Sequence, residues 1–200
     1  MKKDRFEAFS DGVFAFAFTL LVLGFVLPEL HAPTDRDLTV ALLQLWPNLI
    51  AYALSVAVIG IMWQNHHALF RLVARIDRTT VFWNLLLMAG TAFIPFATNA
   101  LGNFPTMHAS TFLYGVALSF TATAYNLMLA HLIRRRAFFE SVTPSTIAQT
   151  VRAYRTGWIG YALATLIALL VPLASFAAYL ALAVYYLVPR GLDADIEGVT

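Results

Sequence analysis

Few side chains of this 200-residue chain could do chemistry, and the most suggestive gather in its first half. Ser10 and Asp11 stand at the mouth of one apolar run, His66 and His67 near the end of a second, and Trp83 and Asn84 near the start of a third. A carboxylate beside an imidazole can relay a proton or sense pH, and an ionisable group in such surroundings is costly enough to be a functional lead. The same groups can instead act as glue, hydrogen-bonding one helix to another. Glu7 lies four residues before Asp11, so the two carboxylates repel on an isolated helix. Asp11 therefore needs a partner on another helix, or a proton. Adjacent His66 and His67 project about 100° apart, which keeps them from sharing one metal ion. With no cysteine in the chain and no nucleophile–base constellation, neither a metal, a cofactor nor an enzyme is expected.

The elements that must position these groups follow from composition. Sixty per cent of residues are hydrophobic and 12% charged, with mean hydropathy +0.72. A soluble chain this small cannot hide so much apolar surface, so an all-α integral membrane protein is expected. A first helix is expected over 5–27, capped by Asp4 and Glu7 and ended by Pro28. After a connector over 29–45, the second span starts at Trp46-Pro47 and runs to about Phe70. Thr79 to Ile133 carries no Asp, Glu, Lys or Arg, too long for one span. Gly, Asn and Pro between Asn99 and His108 divide it into spans of about 79–99 and 109–133. Arg134 to Arg155 reads as a basic connector with a short interfacial helix over 141–151. The charge-free stretch Thr156–Pro189 reads as a hairpin of two short spans, 157–172 and 174–189, or as one kinked helix.

Six transmembrane helices with both termini cytoplasmic place every Lys and Arg but Arg36 on the inner side, as the positive-inside rule asks. The expected organisation is one transmembrane domain over 1–191 and a flexible acidic tail over 192–200. This layout puts Ser10, Asp11, His66 or His67, and Asn84 at one depth, as a polar cluster clamping spans one to three. The first helix also carries Phe9, Val13, Phe16, Leu20, Leu23 and Leu27 at helical spacing. Such a face either packs against helices and lipid or lines a pore that gates by excluding water. Thr19 adds a hydroxyl there, which in a helix usually bonds its own backbone one turn back.

Arg5-x-x-x-Phe9-Ser10-Asp11, followed by GVFAFAFTLLVL, resembles the opening signature and first helix of the transmembrane protein 175 potassium channel family. Trp63-x-Asn65-His66-His67, Trp83-Asn84-Leu85-Leu86 and Ile94-Pro95-Phe96 continue the resemblance. It implies six-span prokaryotic subunits in the cell membrane, assembled as homotetramers among membrane lipid, with no role for nucleic acid. It implies that four first helices line a central pore for potassium, with a hydrophobic constriction in place of a TVGYG filter. By that resemblance the constriction position falls on Phe16, and further pore-facing positions fall on Thr19 or Leu20 and on Leu23, with Leu27 continuing the face. Arg5, Phe9, Ser10, Asp11, His66, His67, Trp83 and Asn84 form the motif and interhelix clamp. Two positions depart from the family pattern: Phe16 replaces a branched aliphatic, and Gly24 stands where an acidic residue is common. The alternative class is a proton-coupled secondary transporter using Asp11 with His66 or His67.

Overall fold

The computed structural model describes residues 3–31 and 34–187; the expected tail over 192–200 lies outside them. Seven α-helices account for most of the described chain: α1 (Lys3–Leu20), α2 (Asp35–Gln44), α3 (Trp46–Leu72), α4 (Arg78–Asn103), α5 (His108–Arg134), α6 (Pro144–Ile167) and α7 (Pro172–Leu187). Residues Leu21–Gly24 extend α1 as a 3₁₀ turn.

Helix ends follow local chemistry. The Asp77 carboxylate accepts from the Thr80 backbone N–H and caps α4. Pro47 and Pro144 sit in the first turns of α3 and α6, where the missing N–H costs nothing. Thr34 and Asp37 form a reciprocal capping box that starts α2, a helix inside the stretch expected to be a plain connector. The first helix also ends earlier than expected. It tightens after Leu20 and turns extended at Phe25, so Leu27 lies beyond it. Asp4 is a helical residue rather than the cap, and Lys3 pairs with Glu7 at 3.6 Å.

Four helices among the described residues are long and apolar enough to cross a membrane: α1 with its 3₁₀ extension, α3, α4 and α5. The expectation of six spans is overturned by the last two. Helix α6 begins at Pro144 and carries Arg152 and Arg155 in its length, so its first half is polar. Helix α7, at 16 described residues and about 24 Å, is too short for a bilayer core of about 30 Å. The break at 168–171 does make α6 and α7 a hairpin rather than one kinked helix. All-α, multi-pass membrane architecture stands.

The core lies where α4 and α5 pack; α3 and α1 lie against α4, α6 lies against α5, and α7 packs on α6 and also touches α3 and α5. Leu54, Ile59, Leu87, Ile94, Leu101, Leu118 and Met128 are fully buried there. Water is absent from a bilayer interior, so polar groups within it must pair. Ser55 does so with Thr98 (2.7 Å) and Tyr114 (3.0 Å), joining α3, α4 and α5. At the basic end, the loops after α3 and α5 meet in a two-residue β-bridge, Val73 with Phe138. Lys3 Nζ donates to Val73 O at 2.8 Å, tying α1 to that layer. At the far end, a Cβ on Gly102 of α4 would meet Asn48 Cα of α3 at 2.9 Å, an approach only glycine permits.

Candidate functional site

Helix α1 buries a single stripe: Phe6, Ser10, Phe14, Ala17 and Leu21, spaced by three or four residues. Within it Ser10 is the polar member. Asn84 Nδ2 of α4 donates to Ser10 Oγ at 2.9 Å, and Ser10 Oγ donates to Phe6 O at 3.1 Å. Asn84 Oδ1 lies 2.9 Å from His66 Nε2 of α3. A carboxamide oxygen only accepts, so this imidazole nitrogen carries the hydrogen. The His66 ring lies among Phe6, Phe14 and Phe70, with centroids 6.2, 5.5 and 4.6 Å away. Three helices are thus joined by one chain of hydrogen bonds inside an aromatic sleeve, and the structure selects His66 over His67.

Asp11 is not part of that chain. It sits half-buried at the edge of the α1–α3 contact, where Oδ1 accepts from Trp63 Nε1 at 2.9 Å. His67 is exposed and stacks on Trp63 at 6.3 Å. Among the described residues no cation pairs with Asp11 within 4 Å. Trp83 is half-buried, edge-on to Phe82 at 5.3 Å, while Arg5 and Phe9 are exposed. Trp63, noted in the sequence only as part of a motif, is the residue that holds the carboxylate. Its spacing of three from His66 places both near the α1 contact and could have revealed it.

The face of α1 opposite the buried stripe is apolar and uncovered. Phe16 is 64% exposed and Leu23 68%. Thr19 lies between them, its hydroxyl donating to Phe16 O at 2.8 Å, the self-satisfied arrangement usual for a helical threonine. Gly12 continues the face with no neighbour within 4 Å of a would-be Cβ. Leu27 is exposed beyond the helix, whereas Leu20 and Val13 are half-buried at the flank. The uncovered stripe is therefore rotated slightly from the one expected. Gly24 faces Asn99 of α4, 3.6 Å from a would-be Cβ. A side chain at position 24 would start out toward α4.

A further polar group joins the basic-end loops. His131 Nε2 of α5 lies 3.0 Å from both Asp77 oxygens, and Arg135 Nε lies 3.5 Å from Oδ2. The Thr80 backbone N–H, followed by His131 and the Thr80 hydroxyl, holds the Asp77 carboxyl down at about 2, against the opposing effect of partial burial. Asp77-x-x-Thr80 is a legible cap signature in the sequence.

Among the described residues no group of three or more His, Cys, Asp or Glu is placed to hold a metal ion. Residues 5–95 match the family model described as endosomal/lysosomal potassium channel TMEM175. The chain is 37% identical over 187 residues to a potassium channel of Streptomyces collinus, covering 91% of this chain and 90% of that one. It superposes on the crystal structure of a lysosomal potassium-selective channel TMEM175 homolog from Chamaesiphon minutus with a TM-score of 0.83. That match has 32% identity and covers 92% of this chain and 96% of the other. The human endosomal/lysosomal proton channel TMEM175 is 31% identical over 138 residues, which make up 64% of this chain and 27% of that protein.

Proposed function

Because the chain belongs to the TMEM175 potassium-channel family, we propose that it conducts potassium across the membrane, as a homotetramer whose pore is lined by α1. It is a multi-pass membrane protein, and its similarity to bacterial channels supports the cell membrane of a prokaryote as its place. It is a transport protein rather than an enzyme.

The observation that carries this reading is the division of α1 into two faces. Phe6, Ser10, Phe14, Ala17 and Leu21 are consumed in packing within the subunit, and Phe16, Thr19 and Leu23 are left uncovered. The family resemblance gives that uncovered face a use at the centre of a tetramer. Four Phe16 rings at one level would form a constriction that excludes water and sets the barrier to ion passage. The Ser10–Asn84–His66 chain then serves as the clamp that fixes the rotation of α1, and with it the direction in which Phe16 points. Gly24, turned toward Asn99, leaves the far mouth without a carboxylate from that position.

Purified protein of measured subunit count, reconstituted in liposomes, tests the proposal by ion flux. Potassium flux exceeding sodium flux from a four-subunit particle is the expected result. Saturable uptake driven only by a pH gradient would point instead to the proton-coupled transporter.

A further inference from the structure

Helix α6 presents one continuous exposed stripe: Ala148, Arg152, Arg155, Ile159, Leu163 and Leu166, spaced by three or four residues. Its two arginines make no ion pair within 4 Å and no side-chain hydrogen bond among the described residues. Their depth is fixed by Tyr154, which lies between them in sequence. The Tyr154 hydroxyl donates to Asn65 O (3.2 Å), and Asn126 Nδ2 donates to Tyr154 O (3.4 Å). Asn126 lies roughly two helical turns, about 12 Å, before the end of α5 at Arg134. The arginines are therefore set in from the basic end, at a level bordering the apolar part of the spans.

Aromatic residues collect at the same level. Trp158 Nε1 donates to Thr123 Oγ1 at 2.8 Å, and the Tyr186 hydroxyl donates to Ala153 O at 2.8 Å. Tyr185 is exposed beside Tyr186. Trp and Tyr mark the boundary between headgroups and acyl chains. A guanidinium at that boundary reaches the headgroup layer, and the negative charge a bilayer supplies there is lipid phosphate. Of the described carboxylates in that half, Asp77 is engaged with His131 and Arg135, Glu7 with Lys3 and Asp11 with Trp63, while exposed Asp4 and Glu140 lie in the first turn of α1 and ahead of α6, outward of the two arginines.

We propose that the Arg152–Arg155 face of α6 binds the phosphate of an anionic phospholipid, with an acyl chain along Ile159, Leu163 and Leu166. This accounts for a helix whose charged first half and apolar second half share one outward face. It is independent of which ion the protein conducts.

Native mass spectrometry of the full-length protein in detergent, titrated with phosphatidylglycerol, phosphatidylcholine or inorganic phosphate, tests it. The wild type is expected to retain phosphatidylglycerol over phosphatidylcholine. Arg152→Gln and Arg155→Gln should each lower that retention about fivefold, while the basic-end control Arg134→Gln/Arg136→Gln leaves it unchanged. Should the double variant Arg152→Gln/Arg155→Gln fail to fold, the single variants carry the same reading. Unchanged phosphatidylglycerol retention in the single variants overturns the proposal. So does equal competition by inorganic phosphate. A change of subunit count without a change in lipid retention also overturns it, and makes the face an interface between copies.

Discussion

Asn84 and Ser10 stand 74 positions apart in the chain and 2.9 Å apart in space. Their bond, continued to His66, fixes α1 against α3 and α4. Asn84→Ala removes the donor to Ser10 and leaves the His66 N–H unpaired in an aromatic sleeve. A single interhelical bond in a membrane averages ~0.6 kcal/mol, while an orphaned buried polar group costs about 1–3 kcal/mol. Thermal unfolding in detergent should show a loss between these, about 1–2 kcal/mol. A smaller loss is expected for His67→Ala, since His67 is exposed.

Asp11→Asn keeps an acceptor oxygen for Trp63 Nε1 and removes the charge. If the carboxylate only positions α1, potassium flux in the absence of a pH gradient should stay within about twofold of wild type, a shift of at most ~0.4 kcal/mol in barrier. Asp11→Leu, which removes the acceptor, should reduce thermal stability. Flux abolished in Asp11→Asn with stability intact would instead assign Asp11 a proton-coupling role.

Asp77 gives the loop layer a pH dependence. Its carboxyl is held at about 2 in the folded protein, below the ordinary 3.8. A depressed acid contributes stability that is complete above the ordinary value and is lost as pH falls toward 2. The melting temperature of wild type relative to Asp77→Asn should therefore be flat above pH 5 and fall between about pH 4 and 2. The asparagine keeps an acceptor for the Thr80 N–H, so the comparison reads the loss of the charge that strengthens this cap and faces His131.

The chain contains no cysteine, so single cysteines report exposure directly. Leu23→Cys should react with a small charged thiol reagent in the assembled protein and lose flux. Ala17→Cys, on the buried stripe, should do neither. Reaction at both positions would mean that α1 does not keep its two faces.

Much of this arrangement is legible in the sequence, for identifiable reasons. Trp46-Pro47 and the turn residues near Asn103 mark span ends because helix termini impose local chemistry. Ser10 and Asn84 can be matched because depth follows from counting residues inward from charged ends. His66 cannot be told from His67 that way: the choice depends on the rotational phase of α3, which tertiary packing sets. The same phase error of one position separates the uncovered stripe through Gly12 and Phe16 from the expected one through Val13 and Leu20. The terminal hairpin misleads as a pair of spans because Thr156–Pro189 shows only where charge is absent. It does not show that α6 starts at Pro144 and carries Arg152 and Arg155 within one helix. Helix α2 was signalled by Thr34-x-x-Asp37, but a ten-residue helix has little periodicity to register.

In the proposed pore potassium crosses along the uncovered face of α1, with Phe16 as its narrowest ring. Potassium flux into liposomes, compared between wild type and Phe16→Ala at equal reconstituted protein and equal subunit count, tests it most directly. Phe16→Ala is expected to raise flux roughly tenfold, a barrier lower by about 1.4 kcal/mol. No flux from either protein, or identical flux from both, would contradict it.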